Sequence, residues 1–113
     1  MKIQKNAPPR VFQVGANEDI IISDCGKIYL ESNEQVTFVT AAGKEHDVVR
    51  KSWGYYATSS VNGRLVDQGF KTALVKNQFD KYYIMLVEIG CVSGFEAYLS
   101  AEKSEVVEWL DER

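Results

Sequence analysis

The sequence predicts a mainly β fold: a small antiparallel sandwich or barrel with a short C-terminal helical segment. Three observations predict it. Turn-forming clusters recur from Gly15 to Asp80 and separate short runs rich in Val, Ile, Thr, Tyr and Phe. The aromatic content is high, with six Tyr, five Phe and two Trp, and such side chains suit pleated, half-buried surfaces. A helical period, with apolar residues three and four apart, appears only after residue 93.

At 113 residues, 45% hydrophobic and 26% charged, the chain has the size and balance of one globular domain. Residues 1–10, carrying Pro8-Pro9, read as an extended lead-in rather than an element. Residues 11–92 read as the antiparallel β domain, with strands expected at 11–14, 19–23, 27–31, 35–40, 46–51, 54–61, 64–67, 71–76 and 82–89. Residues 93–113 read as a helical segment packed on the sheet.

Particular stretches justify these elements. Gln35-Val-Thr-Phe-Val-Thr40 alternates, placing Val36 and Phe38 on one face and Thr37 on the other. Asn62-Gly63, between Ser60-Val61 and Arg64-Leu65, is the strongest hairpin signal, because a type I′ turn needs positive φ at both central residues. Tyr82-Tyr-Ile-Met-Leu-Val-Glu-Ile89 is apolar on both faces, which predicts a central strand covered on each side. Ser93-Gly-Phe-Glu96 has the form of a capping box. Phe95, Tyr98 and Leu99, then Val106, Trp109 and Leu110, form an apolar stripe that is one helix or two broken near Ser100–Ser104. The cadence Ile28-Tyr-Leu-Glu followed by Glu34-Gln-Val-Thr-Phe resembles that of jelly-roll domains over about thirty residues, and implies a jelly-roll-like order of strands without the metal-binding histidines.

Net charge is −3, unevenly spread. Residues 44–81 hold seven Lys and Arg against four acids, whereas 82–113 hold two against seven. A mildly basic middle attracts a small anion but is too dilute for a nucleic-acid phosphate track. The opening Met1-Lys-Ile-Gln-Lys-Asn-Ala-Pro-Pro has no apolar leader, and the longest apolar run, Tyr82 to Val87, is far too short to span a bilayer. The expectation is a cytoplasmic protein with reduced thiols, contacting neither nucleic acid nor membrane. Cys25 and Cys91 match no metal or redox spacing, and with one histidine no metal site or cofactor is expected.

The segment from Arg50 to Arg64 gathers the candidate ligand-binding residues Trp53, Tyr56, Arg50, Lys51, Arg64 and Asn62, with His46 just before it. Aromatic faces stack a polar ring, Arg presents a planar fork to carboxylate or phosphate, and Asn62 sets the turn. Strand alternation sends Trp53 and Tyr55 to the more apolar side, hence to the core, and Tyr56 outward; a bulge at Gly54 would bring Trp53 round to join Tyr56. The expectation is a non-catalytic binding or accessory module for a small polar or anionic, sugar-like ligand or a protein partner. One alternative is a metal-independent isomerase- or lyase-type enzyme, with His46 as base beside Glu45, Asp47 or Glu88. Another is a purely structural, oligomerising subunit, for example a homodimer.

Overall fold

Why the first ten residues become a strand is plain from what they pair with. The computed structural model describes all 113 residues, and in it strand β1 (Lys2–Val14) pairs with β2 (Ile20–Tyr29) as a two-stranded antiparallel arm. Pro8 and Pro9 do not prevent this, because the register is interrupted where they fall. Lys5 lies opposite Gly26 and Arg10 opposite Asp24, so four residues of β1 bulge against Cys25 alone. The Ala7–Pro8 peptide is cis. The lead-in of the sequence reading is thus most of β1, since a proline without an amide donor is tolerated at an edge or bulge.

Two further antiparallel sheets follow. Strands β3 (Gln35–Val39), β4 (Glu45–Lys51) and β5 (Gly54–Tyr56) form one in that order. After a helical turn, α1 (Arg64–Asp67), strands β6 (Phe70–Lys76), β7 (Tyr82–Glu88) and β8 (Glu105–Trp109) form the other, with β6 central. Helix α2 (Val92–Ala101) lies between β7 and β8 in the chain, and 3-10 turns occupy Ile89–Cys91 and Leu110–Glu112. The fold is mainly β with a short C-terminal helix, as composition and turn rhythm predict; no sheet closes into a barrel.

Four local expectations are corrected. The Asn62-Gly63 hairpin does not form. The Ser60 hydroxyl accepts from the Arg64 amide at 2.8 Å, and the Ser60 carbonyl accepts from Leu65 at 3.1 Å. These bonds start α1, which buries Leu65 completely. Helix initiation plus one fully buried leucine outweighs the turn preference of Asn-Gly. The hairpin lies instead one turn earlier, between β4 and β5 around Ser52-Trp53, with Gly54 at φ +146°.

The C-terminal stripe is the second correction. The helix stops at Ala101, Lys103 turns the chain at φ +55°, and Glu105–Trp109 pairs with β6. Val106-Val107 and Trp109 are good strand formers, and β6 had one open side to offer them. The third correction is the capping box: α2 begins at Val92 out of a 3-10 turn, so Ser93 stands inside the first turn and makes no cap.

The fourth concerns β7. It pairs only with β6 and is an edge strand, with Tyr82 60% and Ile84 58% exposed. Its central neighbour β6 has Phe70, Thr72, Ala73 and Val75 buried. Ala73 and Val75 pack with Leu99 of α2, flanked by Met85, Phe95, Val106 and Trp109. The Phe95 and Trp109 rings meet edge to face at 5.8 Å between centroids. Lys71 sits 4.8 Å over the Trp109 ring and bonds the Asp111 carboxylate, which also accepts from the Thr72 amide at 2.9 Å. The last residues are thereby fastened to β6.

Candidate functional site

The β4–β5 hairpin brings some of the expected ligand-binding residues together. Gly54, in a backbone conformation that suits only glycine, turns Trp53 round so that its ring meets Tyr56 edge to face at 5.7 Å. Arg50, opposite Tyr55 in the register, stacks on that ring at 5.5 Å and donates to the Gly54 carbonyl at 3.1 Å. Trp53 and Tyr55 are therefore not core: they are 68% and 55% exposed, because a tight turn carries them away from the sheet face that alternation assigned them. Lys51 reaches back to Asn33 Oδ1 at 2.7 Å.

Arg64 and His46 each have partners of their own. Asp47, on β4, accepts from Thr37 Oγ1 at 2.7 Å and from Arg64 Nε at 2.6 Å, and a second Arg64 nitrogen reaches Glu45 at 3.2 Å. The Arg64 and Thr37 bonds hold the Asp47 carboxyl below the usual carboxylate range, and the same Asp47 bond raises Arg64. The His46 ring bonds the Ala57 carbonyl at 2.9 Å through Nε2 and lies 6.0 Å from the Phe38 ring. Glu45 and Asp47 are thus engaged with Arg64 rather than with His46. Glu88 is on another sheet, at the end of β7, with Oε1 buried and unpartnered. Asn62 is an exposed turn residue ahead of α1.

The cations expected to neutralise a ligand are thus already paired or stacked within the chain. None of the principal concavities is lined by them. The largest, about 520 Å³, lies where the tip of the β1–β2 arm meets the body, bounded by Val14, Phe79, Tyr83, Met85, Tyr98 and Glu102. There Glu102 Oε1 accepts from the Ala16 amide at 3.0 Å, pinning the arm. Gly15, at φ +98°, has no room to spare: a Cβ would stand 3.1 Å from Glu102 Oε1.

What distinguishes the molecule is its apolar surface. Only eight of 113 residues are buried, while Ile3, Val11, Ile21, Phe79, Tyr82 and Ile84 are all more than half exposed. The accessible surface is 7935 Å². A compact monomer of 12.8 kDa exposes about 6,300 Å². The Cα radius of gyration, 15.6 Å, likewise exceeds the roughly 13 Å of a compact chain this long. Residue pattern placed Tyr82 and Ile84 in a strand covered on both faces and marked none of the others, so the uninterrupted apolar run of β7 was the one signal of this surface. No helix is long and apolar enough to cross a membrane. Compared with protein-family models, curated proteins and solved structures, the chain matches none.

Proposed function

We propose that this chain is a non-catalytic structural subunit that completes its fold by associating with copies of itself. The observation that carries the reading is the surplus of roughly 1,600 Å² of surface over a compact monomer of the same mass. That surplus is of the size a subunit loses in a stable, obligate assembly, where apolar interfaces resemble a core cut in half. Large apolar side chains left exposed, among them Ile21, Phe79 and Ile84, are what an association surface buries. The two-stranded arm supports it as well, since an isolated hairpin is marginal without a third strand or a packed layer.

A small-ligand role for residues 46–64 has less support, because Arg64, Lys51 and Arg50 already have partners inside the chain. Catalysis by His46 has less still, because its ring nitrogen is committed to a backbone carbonyl. Sedimentation and light scattering of the purified chain in reducing buffer test the assembly reading. A mass that is a multiple of 12.8 kDa is expected, with a melting temperature that rises with protein concentration. A monomer whose melting temperature does not change with concentration overturns it.

A further inference from the structure

We infer that the open edge of β7 is the contact between copies, and that two β7 strands pair antiparallel about Met85. The inference rests on the assembly reading above and names its surface.

Hydrogen bonds at the two ends of β7 define which backbone groups are free. The Ile89 amide donates to the Gly69 carbonyl, and the Lys81 carbonyl accepts from Asn77. Residues of odd number therefore face β6, and by strand alternation Tyr82, Ile84, Leu86 and Glu88 turn their N–H and C=O groups to the open side. The edge is seven residues long, without proline, glycine or a charged residue from Tyr82 to Val87. Other edges in the molecule are blunted or shorter: β3 is uncharged but only five residues long, and β2 carries Asp24, Gly26 and Lys27. The arm carries Pro8, Pro9 and a bulge along β1, β5 is three residues long, and β8 bears Glu105 and Glu108 with an irregular register. Natural sheets defend an edge in these ways when it must stay free. β7 has no such defence, and its composition is that of an interior strand.

A second copy fits this edge because the edge is self-complementary. Two-fold symmetry requires one residue to stand opposite itself. With Met85 in that place, Ile84 of each copy faces Leu86 of the other and Tyr82 faces Glu88. All four outward-turned residues then pair, with no like charges opposed. Centring on Ile84 or Leu86 instead runs the ladder into the Asp80 turn, where φ is +60°, or into the 3-10 turn at Ile89–Cys91. The product is a continuous six-stranded sheet, β8-β6-β7-β7-β6-β8, in which β7 occupies the central position its sequence implies.

Two variants test this, both made in a Cys25→Ser, Cys91→Ser background. Ile84→Lys places a charge on an exposed edge residue and should raise the dissociation constant at least tenfold while leaving the circular dichroism of the chain unchanged. Met85→Cys places two thiols across a non-hydrogen-bonded pair, where Cα atoms approach about 4.5 Å, and should give a disulfide-linked dimer on mild oxidation. Ile84→Cys alone should not, although Ile84→Cys mixed with Leu86→Cys should. An oligomer that survives Ile84→Lys and shows no Met85→Cys cross-link overturns the β7 contact while leaving assembly standing. A chain that is monomeric before any substitution overturns the assembly reading and this inference together.

Discussion

Strands β6 and β7 lie side by side in one sheet and have seven residues each, and β7 is the more apolar, with Glu88 its one charged residue. Yet four residues of β6 are buried and only Val87 of β7 is. The difference is not in propensity or pattern. β6 has β7 on one side and β8 on the other, whereas β7 has β6 alone; α2 packs against residues of both. Burial is thus a property of the neighbours a chain can supply, and this chain runs out of strands before it has covered β7. A segment whose composition asks for more cover than its own fold provides points to where cover must come from.

Substitutions at paired sites sharpen that contrast. The largest loss is expected at Leu65, which is fully buried where α1 meets β6. Leu65→Ala should lower unfolding free energy by about 3 kcal/mol in urea titrations. Next is the fastening of β6 by the C-terminus. Asp111→Asn removes the charge and turns one of the two acceptor oxygens, which serve Lys71 and the Thr72 amide separately, into an NH2 donor, with an expected loss of about 2 kcal/mol. A loss below about 0.5 kcal/mol would show that the last residues are ornament to the core rather than part of it.

The same carboxylate gives the molecule an acid limit. Burial raises the Asp111 carboxyl, but bonds from the Thr72 amide and Lys71 outweigh it, leaving the group below its ordinary 3.8. Asp47 is lowered likewise, by Arg64 and Thr37. The folded chain therefore holds these protons less tightly than the unfolded chain does. Their stabilisation is complete above the unfolded value and is lost as pH falls below about 4 through the folded values. Urea midpoints measured between pH 6 and pH 2.5 should drop only in the lower part of that range, and less steeply in Asp111→Asn.

A smaller effect is expected in the arm. Gly26 sits at φ +146°, where an added Cβ would run into the Gln4 carbonyl oxygen. Gly26→Ala should cost about 1–2 kcal/mol or shift the register of the lower half of the arm, visible in the amide spectra of residues 2–5 and 26–29. The smallest effect is the most telling for the comparison. In a dilute, monomeric sample Ile84→Ala should change stability by less than about 0.5 kcal/mol, against about 2 kcal/mol for Val75→Ala in the neighbouring strand. If the Ile84→Ala loss stays small at high concentration as well, the edge is not where copies meet.

Much of this fold was legible in residue order. The alternation of Gln35 to Val39, the β6 and β7 runs and the apolar face of Phe95 and Leu99 all lie where pattern placed them. The failures have a common origin in tertiary competition. Asn62-Gly63 is a good turn, but Ser60 and Leu65 make a better helix start. Val106 to Trp109 fits a helical stripe and a strand equally, and the vacant side of β6 decided between them. The proposed site was less legible. Sequence placed Arg50, Lys51 and Arg64 in one neighbourhood, yet register sends Arg50 to Tyr55 while Arg64, freed from the hairpin, falls to Asp47. No local pattern encodes which anion claims a given arginine.

The four-residue bulge in the arm has a kinetic consequence. Because the ladder is broken between Lys5 and Arg10, the arm is two short stacks of hydrogen bonds joined by an unpaired stretch, each shared only by its own two strands. Such units open independently of the rest. Amide protons of β1 and β2 should therefore exchange with solvent in two groups, one on either side of Pro8-Pro9, while those of β6 wait for the whole molecule to unfold.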